Sequence, residues 1–460
     1  MAITSVNPAT AQEVARFDEH SLEHIDLVLQ RAYDAQRDWR RLSFESRGAH
    51  LAQVARLIRE DKPRLAALAT EEMGKPLVEA AAEVEKCAWS IDWYAENSAE
   101  LLAPKEMPSS ATQSYVQYQP LGVVLAVMPW NFPYWQFFRA AAPALMAGNT
   151  IILKHASNVP RCSLAIEELF VRAGVPTGVA SSLLVGSSAV AGLIADRRIA
   201  AVTLTGSDVA GAKVAEAAGK VLKKCVLELG GSDPFIVLDD ADLEYAVDAA
   251  VFSRFTHQGQ ICMSANRVLV HESIFDDFVD RYVAKVRTLK VGNPRDDDTI
   301  IGPLITAKQA ENLNAMVDRA ITDGARAAIR GEVNGGVFDP VVLLDVDPDM
   351  EIAQKELFGP VVSVIPFKSD DEAVEIANNS DFGLSGAVHT GDIDRGVALA
   401  RRVETGMIHV NDCTIHDEPI VAFGGEKQSG LGRLNGPWSL DEFTTMRWVS
   451  VNRGRRQFPY

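Results

Sequence analysis

Residues 225–238 read Cys225-Val226-Leu227-Glu228-Leu229-Gly230-Gly231-Ser232-Asp233-Pro234-Phe235-Ile236-Val237-Leu238. Two short apolar runs flank a Gly-Gly turn, the pattern of two β-strands rather than one helix. Upstream, similar runs stand at 122–127, 150–153, 182–185 and 201–205, with helical stretches between them. Strands alternating with helices predict an α/β fold with a mainly parallel sheet. A second alternating block has strands at 267–270, 361–366, 385–390 and 407–410, and helices from about 273, over 310–323 and after Asp392. Two such units in series predict two domains with a cleft between them.

The first hundred residues read as helical. Ser21 is a cap, Ile25, Val28, Leu29, Ala32 and Tyr33 share one face, and Leu51, Val54, Ala55 and Ile58 repeat the pattern until 71–76 breaks it. The acidic run 239–242 opens the next helix, where carboxylates favour the positive dipole end. Residues 114–118 and 446–451 alternate like strands exposed on one side. A lone two-stranded flap is marginal in water, so these strands are expected to pair with each other or with a neighbouring subunit, in an oligomer.

Of 460 residues, 47% are hydrophobic and 23% charged, which excludes a disordered or low-complexity chain. The formal net charge of -17, with no offsetting basic block, argues against nucleic acid and anionic membranes as partners. Five irregularly spaced cysteines without a CxxC pair fit a reducing compartment and no metal site. The N-terminus lacks a signal-peptide pattern, and no run of about 18 apolar residues could span a bilayer. A cytoplasmic location is expected.

Chemistry concentrates at three places. Cys262 follows a Gly259-Gln260 turn in the stretch 255–267, where a thiol is set like a nucleophile. Glu228 ends an apolar strand beside a Gly pair through which backbone can approach a ligand closely. Asn131 is held between Pro129 and Pro133. A thiol, a carboxylate and an amide are the nucleophile, general base and oxyanion donor of acyl chemistry through a thioester. Cys87, Cys162, Cys225 and Cys413 read instead as small hydrophobes. No GxGxxG follows a strand. In its place, Gly206-Ser207 ends the strand 201–205 and opens a helix whose N–H groups can hold a pyrophosphate. Lys154 ends the strand 150–153, at the sheet edge where ligands of open α/β sheets bind.

In their order along nearly the whole chain, the motifs 129–133, 154–157, 206–207, 228–231, 259–262, 356–360 and 423–432 resemble those of the aldehyde dehydrogenase superfamily. The resemblance implies an atypical Rossmann NAD(P)-binding domain over 1–112 and 128–241, a catalytic domain over 242–435, and an oligomerisation flap over 113–127 and 436–460. It implies a homodimer or homotetramer. It makes Cys262 the nucleophile, Glu228 the general base and Asn131 the oxyanion donor. The cofactor set is Trp130, Lys154, Ser157, Gly206, Ser207, Leu229, Glu356 and Phe358. A glutamate at 228 implies that the thioester is hydrolysed rather than passed to coenzyme A.

Either NAD or NADP is expected as cofactor. Family members selective for NAD often carry a glutamate three residues after the lysine, and here that residue is Ser157, which would not repel a 2′-phosphate. The substrate is read two ways. The segment up to about 242 is similar to bacterial succinate-semialdehyde dehydrogenases, in which Arg139 matches a carboxylate-gripping arginine. A second such arginine would fall at Thr256, with Arg254 close by. Residues 258–267, 407–412, 416–419 and the C-terminus look more like benzaldehyde, salicylaldehyde and vanillin dehydrogenases. Trp135, Phe138 and Phe255 are expected beside the substrate tunnel, where they could stack an aromatic ring. The longer match favours a semialdehyde. A cofactor-free cysteine hydrolase using Cys262 and His257 is the alternative of a different class.

Overall fold

The computed structural model describes residues 2–460. It opens with a hairpin, β1 (Ala2–Asn7) against β2 (Gln12–Asp18), where the sequence predicted helix. Its alternating pattern was overshadowed by the helical periodicity that follows. Four helices come next: α1 (Leu22–Trp39), α2 (Phe44–Glu60), α3 (Lys62–Met73) and α4 (Leu77–Leu101). Ser21 caps α1 by accepting from the N–H of His24. Val28, Leu29 and Ala32 are buried, but Tyr33 is turned to solvent, one residue past the edge of the buried stripe. Gly74, in the left-handed conformation at φ 79°, ends α3.

After β3 (Lys105–Glu106) and β4 (Gln113–Pro120), the chain builds its first large sheet from β5 (Val123–Met128), β6 (Thr150–His155), β7 (Ala180–Ser182), β8 (Ile199–Thr205) and β9 (Lys224–Glu228). Between them run α5 (Trp135–Met146), α6 (Pro160–Arg172), α7 (Val190–Ala195) and α8 (Asp208–Lys220). The order is β9-β8-β5-β6-β7, all parallel, with Gly430–Leu431 added antiparallel to β9. The apolar run 182–185 forms a strand only at its start, displaced to Ala180–Ser182.

The next strand, β10 (Asp233–Val237), leaves this sheet and pairs with β11 (Ala265–His271) and Ala387–His389 in a seven-stranded second sheet. Only Arg326–Arg330, at one edge, runs antiparallel there. The switch between sheets therefore falls at Gly230-Gly231, and β10 lies with the second sheet although the division at 241 would put it with the first. Likewise β5 belongs to the first sheet, not to the flap drawn at 113–127. Both runs are apolar on both faces, so their patterns could not say which sheet would bury them. Helix α9 (Leu243–Phe255) is capped by Asp242, whereas Asp240 binds Thr390 and Asp239 pairs with Arg395. Thr444–Val451 pairs along the length of β4, as the alternating patterns predicted, and β3 completes a three-stranded flap. Among the described residues, no helix is long and apolar enough to cross a membrane, and no group of three or more His, Cys, Asp or Glu could hold a metal ion.

Candidate active site

Two cavities, of about 400 and about 410 Å³, meet at Cys262 and Gln136. The turn that delivers Cys262 is strained: His257, Gln258 and Gly259 have φ of 55°, 57° and 71°. For the two non-glycine residues that conformation costs about 1–2 kcal/mol each. Buried hydrogen bonds over-determine it. The Gln258 side-chain amide donates to the carbonyls of Gly74 and Pro303, at 3.0 and 3.1 Å, and Gln260 Oε1 accepts from the N–H of Ile305. The Gly-Gly pair predicted to admit a ligand admits protein instead. A Cβ on Gly231 would lie 2.5 Å from the Cys262 carbonyl oxygen, and one on Gly230 would lie 2.6 Å from Glu356 Oε2.

Asn131, buried in the β5–α5 loop, donates from its side-chain amide to the Gln260 carbonyl at 3.0 Å. Its second N–H is left for the cavity it lines with Cys262. The loop is held by a pair invisible in the sequence. Lys75 and Glu83 form an ion pair at 2.5 Å, both essentially without solvent contact, while Glu83 Oε1 accepts from the N–H groups of Tyr134 and Trp135. Lys75 Nζ also sits 3.6 Å from the centre of the Phe132 ring. Removing one partner of a buried ion pair costs about 3–5 kcal/mol. Lys75→Met is therefore expected to lower unfolding free energy in urea by about that amount; a loss under about 1 kcal/mol would show that Glu83 does not need the cation.

Glu228 ends β9, is buried, and has no hydrogen-bond partner for either oxygen. Burial raises its pKa to about 8, against the pull of Arg139 and Arg433. It lines neither cavity. Burial likewise pushes the Cys262 thiol up, with Arg139 opposing.

The first cavity gathers Trp130, Asn131, Gly206, Ser207, Leu229, Glu356 and Phe358 around Cys262, together with Gln309, which sequence reasoning missed. Ser207 caps α8, accepting from the N–H of Ala210. Trp130 and Phe358 meet edge to face at 5.5 Å. Glu356 accepts from the N–H of Gly231 at 3.4 Å, and burial raises its pKa to about 8. Lys154 and Ser157 lie outside this lining: Lys154 is buried at the end of β6, where desolvation lowers its pKa, and Ser157 is exposed. A strand end, a helix N-terminus with N–H groups beyond the one that Ser207 caps, a buried ammonium and a half-buried carboxylate are the donor and acceptor set that a dinucleotide needs, so these residues fit the cofactor.

The second cavity is lined by Trp135, Arg139 and Thr256, but not by Phe138 or Phe255. Trp135 and Arg139 stand four apart on one face of α5, which turns Phe138 away to stack on Phe170 at 6.0 Å. Phe255 packs in the core near Tyr282. The aromatic walls come instead from Phe132, Phe252 and Phe423. Phe252 is spaced four residues from Thr256, a signal the sequence carried. Arg254 is not a substrate group: it is buried and spends its guanidinium on Asn266 and the Gly359 carbonyl.

Arg139 is also buried. It donates to Gln136 Oε1, lies 4.2 Å from the centre of the Phe423 ring, and leaves Nε without a partner. Lys86, a second cation on the wall, is paired with Asp417 at 2.8 Å. His257, which a cysteine hydrolase would need as base, commits Nε2 to the Asn131 backbone carbonyl at 2.8 Å.

A family model described as the aldehyde dehydrogenase family matches residues 1–449. The chain is 46% identical to a benzaldehyde dehydrogenase of Bacillus subtilis, over 99% of this chain and 94% of that protein. It is 44% identical to a probable NADP-dependent succinate-semialdehyde dehydrogenase of Synechocystis, over 98% and 100%. Its fold superposes on the succinic semialdehyde dehydrogenase of Streptococcus pyogenes, solved with NADP, with a TM-score of 0.95 and 35% identity over 98% of this chain and 100% of that one.

Proposed function

Because the chain belongs to the aldehyde dehydrogenase family and works with NAD or NADP, we propose that it oxidises a semialdehyde such as succinic semialdehyde, by way of a thioester on Cys262. The observation that carries this reading is the single thiol at which the two cavities meet, with the Asn131 amide beside it.

Cys262 first gives its proton to water in the cavity, a loss that burial opposes, and the thiolate Sγ then adds to the aldehyde carbon. The oxyanion receives the free N–H of Asn131 and the backbone N–H of Cys262; each such donor supplies about 3 kcal/mol at the transition state. When bound, the oxidised nicotinamide supplies the hydride acceptor. Cys262 is left as a thioester. Glu228, as a carboxylate, takes a proton from water, whose hydroxyl displaces the thiol and releases the acid. Lys154, Ser207 and Glu356 would hold the dinucleotide, with Trp130 and Phe358 beside it, and the uncharged Ser157 would tolerate a 2′-phosphate.

Arg139 supports a substrate that carries a carboxylate: it is a buried cation on the cavity wall with a donor unspent. A second reading, an aromatic aldehyde, draws on the Phe132, Trp135, Phe252 and Phe423 walls and on the pairing of Lys86 with Asp417. The flap strands, with Met446 and Trp448 exposed, are the surface through which copies would form a dimer or tetramer.

The test is kcat/KM for succinic semialdehyde and benzaldehyde, with each cofactor, in wild type and Arg139→Ala. Losing a charged hydrogen-bond partner costs about 1.5–3 kcal/mol, so the semialdehyde is expected to lose about 10- to 100-fold more than benzaldehyde. Equal losses would assign Arg139 to the electrostatics of Cys262 and Glu228 and favour the aromatic reading.

A further inference from the structure

Glu79, in the first turn of α4, stands on the wall of the second cavity beside the turn that carries Cys262. One carboxyl oxygen accepts from the backbone N–H of His257 at 3.2 Å. The other is 3.9 Å from His257 Nδ1, about 1 Å beyond a hydrogen bond. That nitrogen is buried with no partner at hydrogen-bond geometry, and the Gln258 side chain is the other polar group beside the ring. Because Nε2 faces the Asn131 carbonyl, an acceptor only, the ring must carry its proton on Nε2, and Nδ1 is a bare acceptor. The same contact fixes the peptide of Asn131, whose side chain reaches back to Gln260, two residues before the thiol.

We propose that Glu79 is a positioning residue for the oxyanion site: in its protonated form it donates to His257 Nδ1, and through His257 it locks the Asn131 loop to the Cys262 turn. The proposal rests on Asn131 as the oxyanion donor. Burial, opposed by the His257 N–H and Lys75, raises the Glu79 pKa to about 7, and burial keeps His257 neutral. Of the other charged groups on this wall, Lys75 is paired with Glu83 and Lys86 with Asp417, while Arg139 donates to Gln136 and keeps Nε free. Glu79 already accepts from the His257 N–H, which leaves the His257 ring as the neighbour its second oxygen faces. Below its pKa the carboxyl can donate to Nδ1; above it the donor is lost and a carboxylate faces a lone pair.

The test uses full-length Glu79→Ala and Glu79→Gln with saturating aldehyde and cofactor. Small misplacements of catalytic groups cost up to about 100-fold, so Glu79→Ala is expected to lower kcat by about tenfold, with KM and NADPH affinity within about twofold and near-native thermal unfolding. The glutamine amide can donate to Nδ1 while its oxygen keeps the His257 N–H, so Glu79→Gln is expected to recover most of the loss. The ratio of wild-type to Glu79→Gln kcat should fall as pH rises through about 7. A wild-type kcat for Glu79→Ala, equal damage in both variants, or a ratio independent of pH would each overturn the proposal. Asn131→Ala separates the two readings: if it retains wild-type turnover, the oxyanion assignment fails, and if it is inactive while Glu79→Ala is not, only the role of Glu79 does.

Discussion

Cys262→Ala is expected to abolish aldehyde oxidation, by about 10⁴-fold or more, as losing the nucleophile does in enzymes with covalent intermediates. No other thiol can substitute. Cys87 and Cys162 are buried in the core, and Cys225 and Cys413 line neither cavity. The variant should still bind NADPH, since the proposed cofactor residues come from the loop after β5, the end of β6, the start of α8, the end of β9 and the 356–358 loop. The turn carrying Cys262 is held by Gln258 and Gln260 rather than by the thiol, so the fold should survive. NADPH fluorescence titration and product formation, measured on one preparation, check both halves. Turnover at the wild-type rate would remove Cys262 from the mechanism, and lost nucleotide binding would mean that the turn had collapsed.

Glu228→Gln is expected to separate the two half-reactions. Acylation at Cys262 does not need this carboxylate, so a burst of one NADPH per site should precede a steady state slower by about 10²- to 10⁴-fold, the usual contribution of a general base. The raised pKa gives a second signature. Glu228 is neutral below about 8 and becomes a base above it, so wild-type deacylation should rise as pH passes through about 8. The glutamine variant should stay flat. A carboxyl whose folded pKa is raised loses stability as pH rises from about 4.5 to about 8, and an amide does not. Relative to wild type, the variant should therefore gain stability across that range. A steady-state rate without a burst, with wild-type hydride transfer still fast, would reassign the base.

Much of this was legible in the chain. The strand and helix runs after residue 120 were, because each is set by a local period, and Cys262, Glu228 and Asn131 stood out as candidates because each sits in a distinctive short motif. Phe138 and Phe255 misled because aromatic side chains on α5 and α9 serve core and cavity alike, and only the helix rotation separates the roles. Glu79 and Lys86 were silent, since they come from an otherwise ordinary helix more than a hundred residues from Cys262, and Phe423 stood in a motif that did not reveal its place on the cavity wall.

The sequence by itself determined the alternation of elements and marked Cys262, Glu228, Asn131 and the Gly206-Ser207 turn as candidates, since these patterns depend on neighbours a few residues away. Only the tertiary structure decided that β10 crosses to the second sheet, that Lys75 and Glu83 pin the Asn131 loop, and that Glu228 and Glu79 are carboxyls raised toward neutrality. The physical reason is that pairing partners and desolvation are properties of packed, distant surfaces, and no local pattern encodes how much water a side chain will lose.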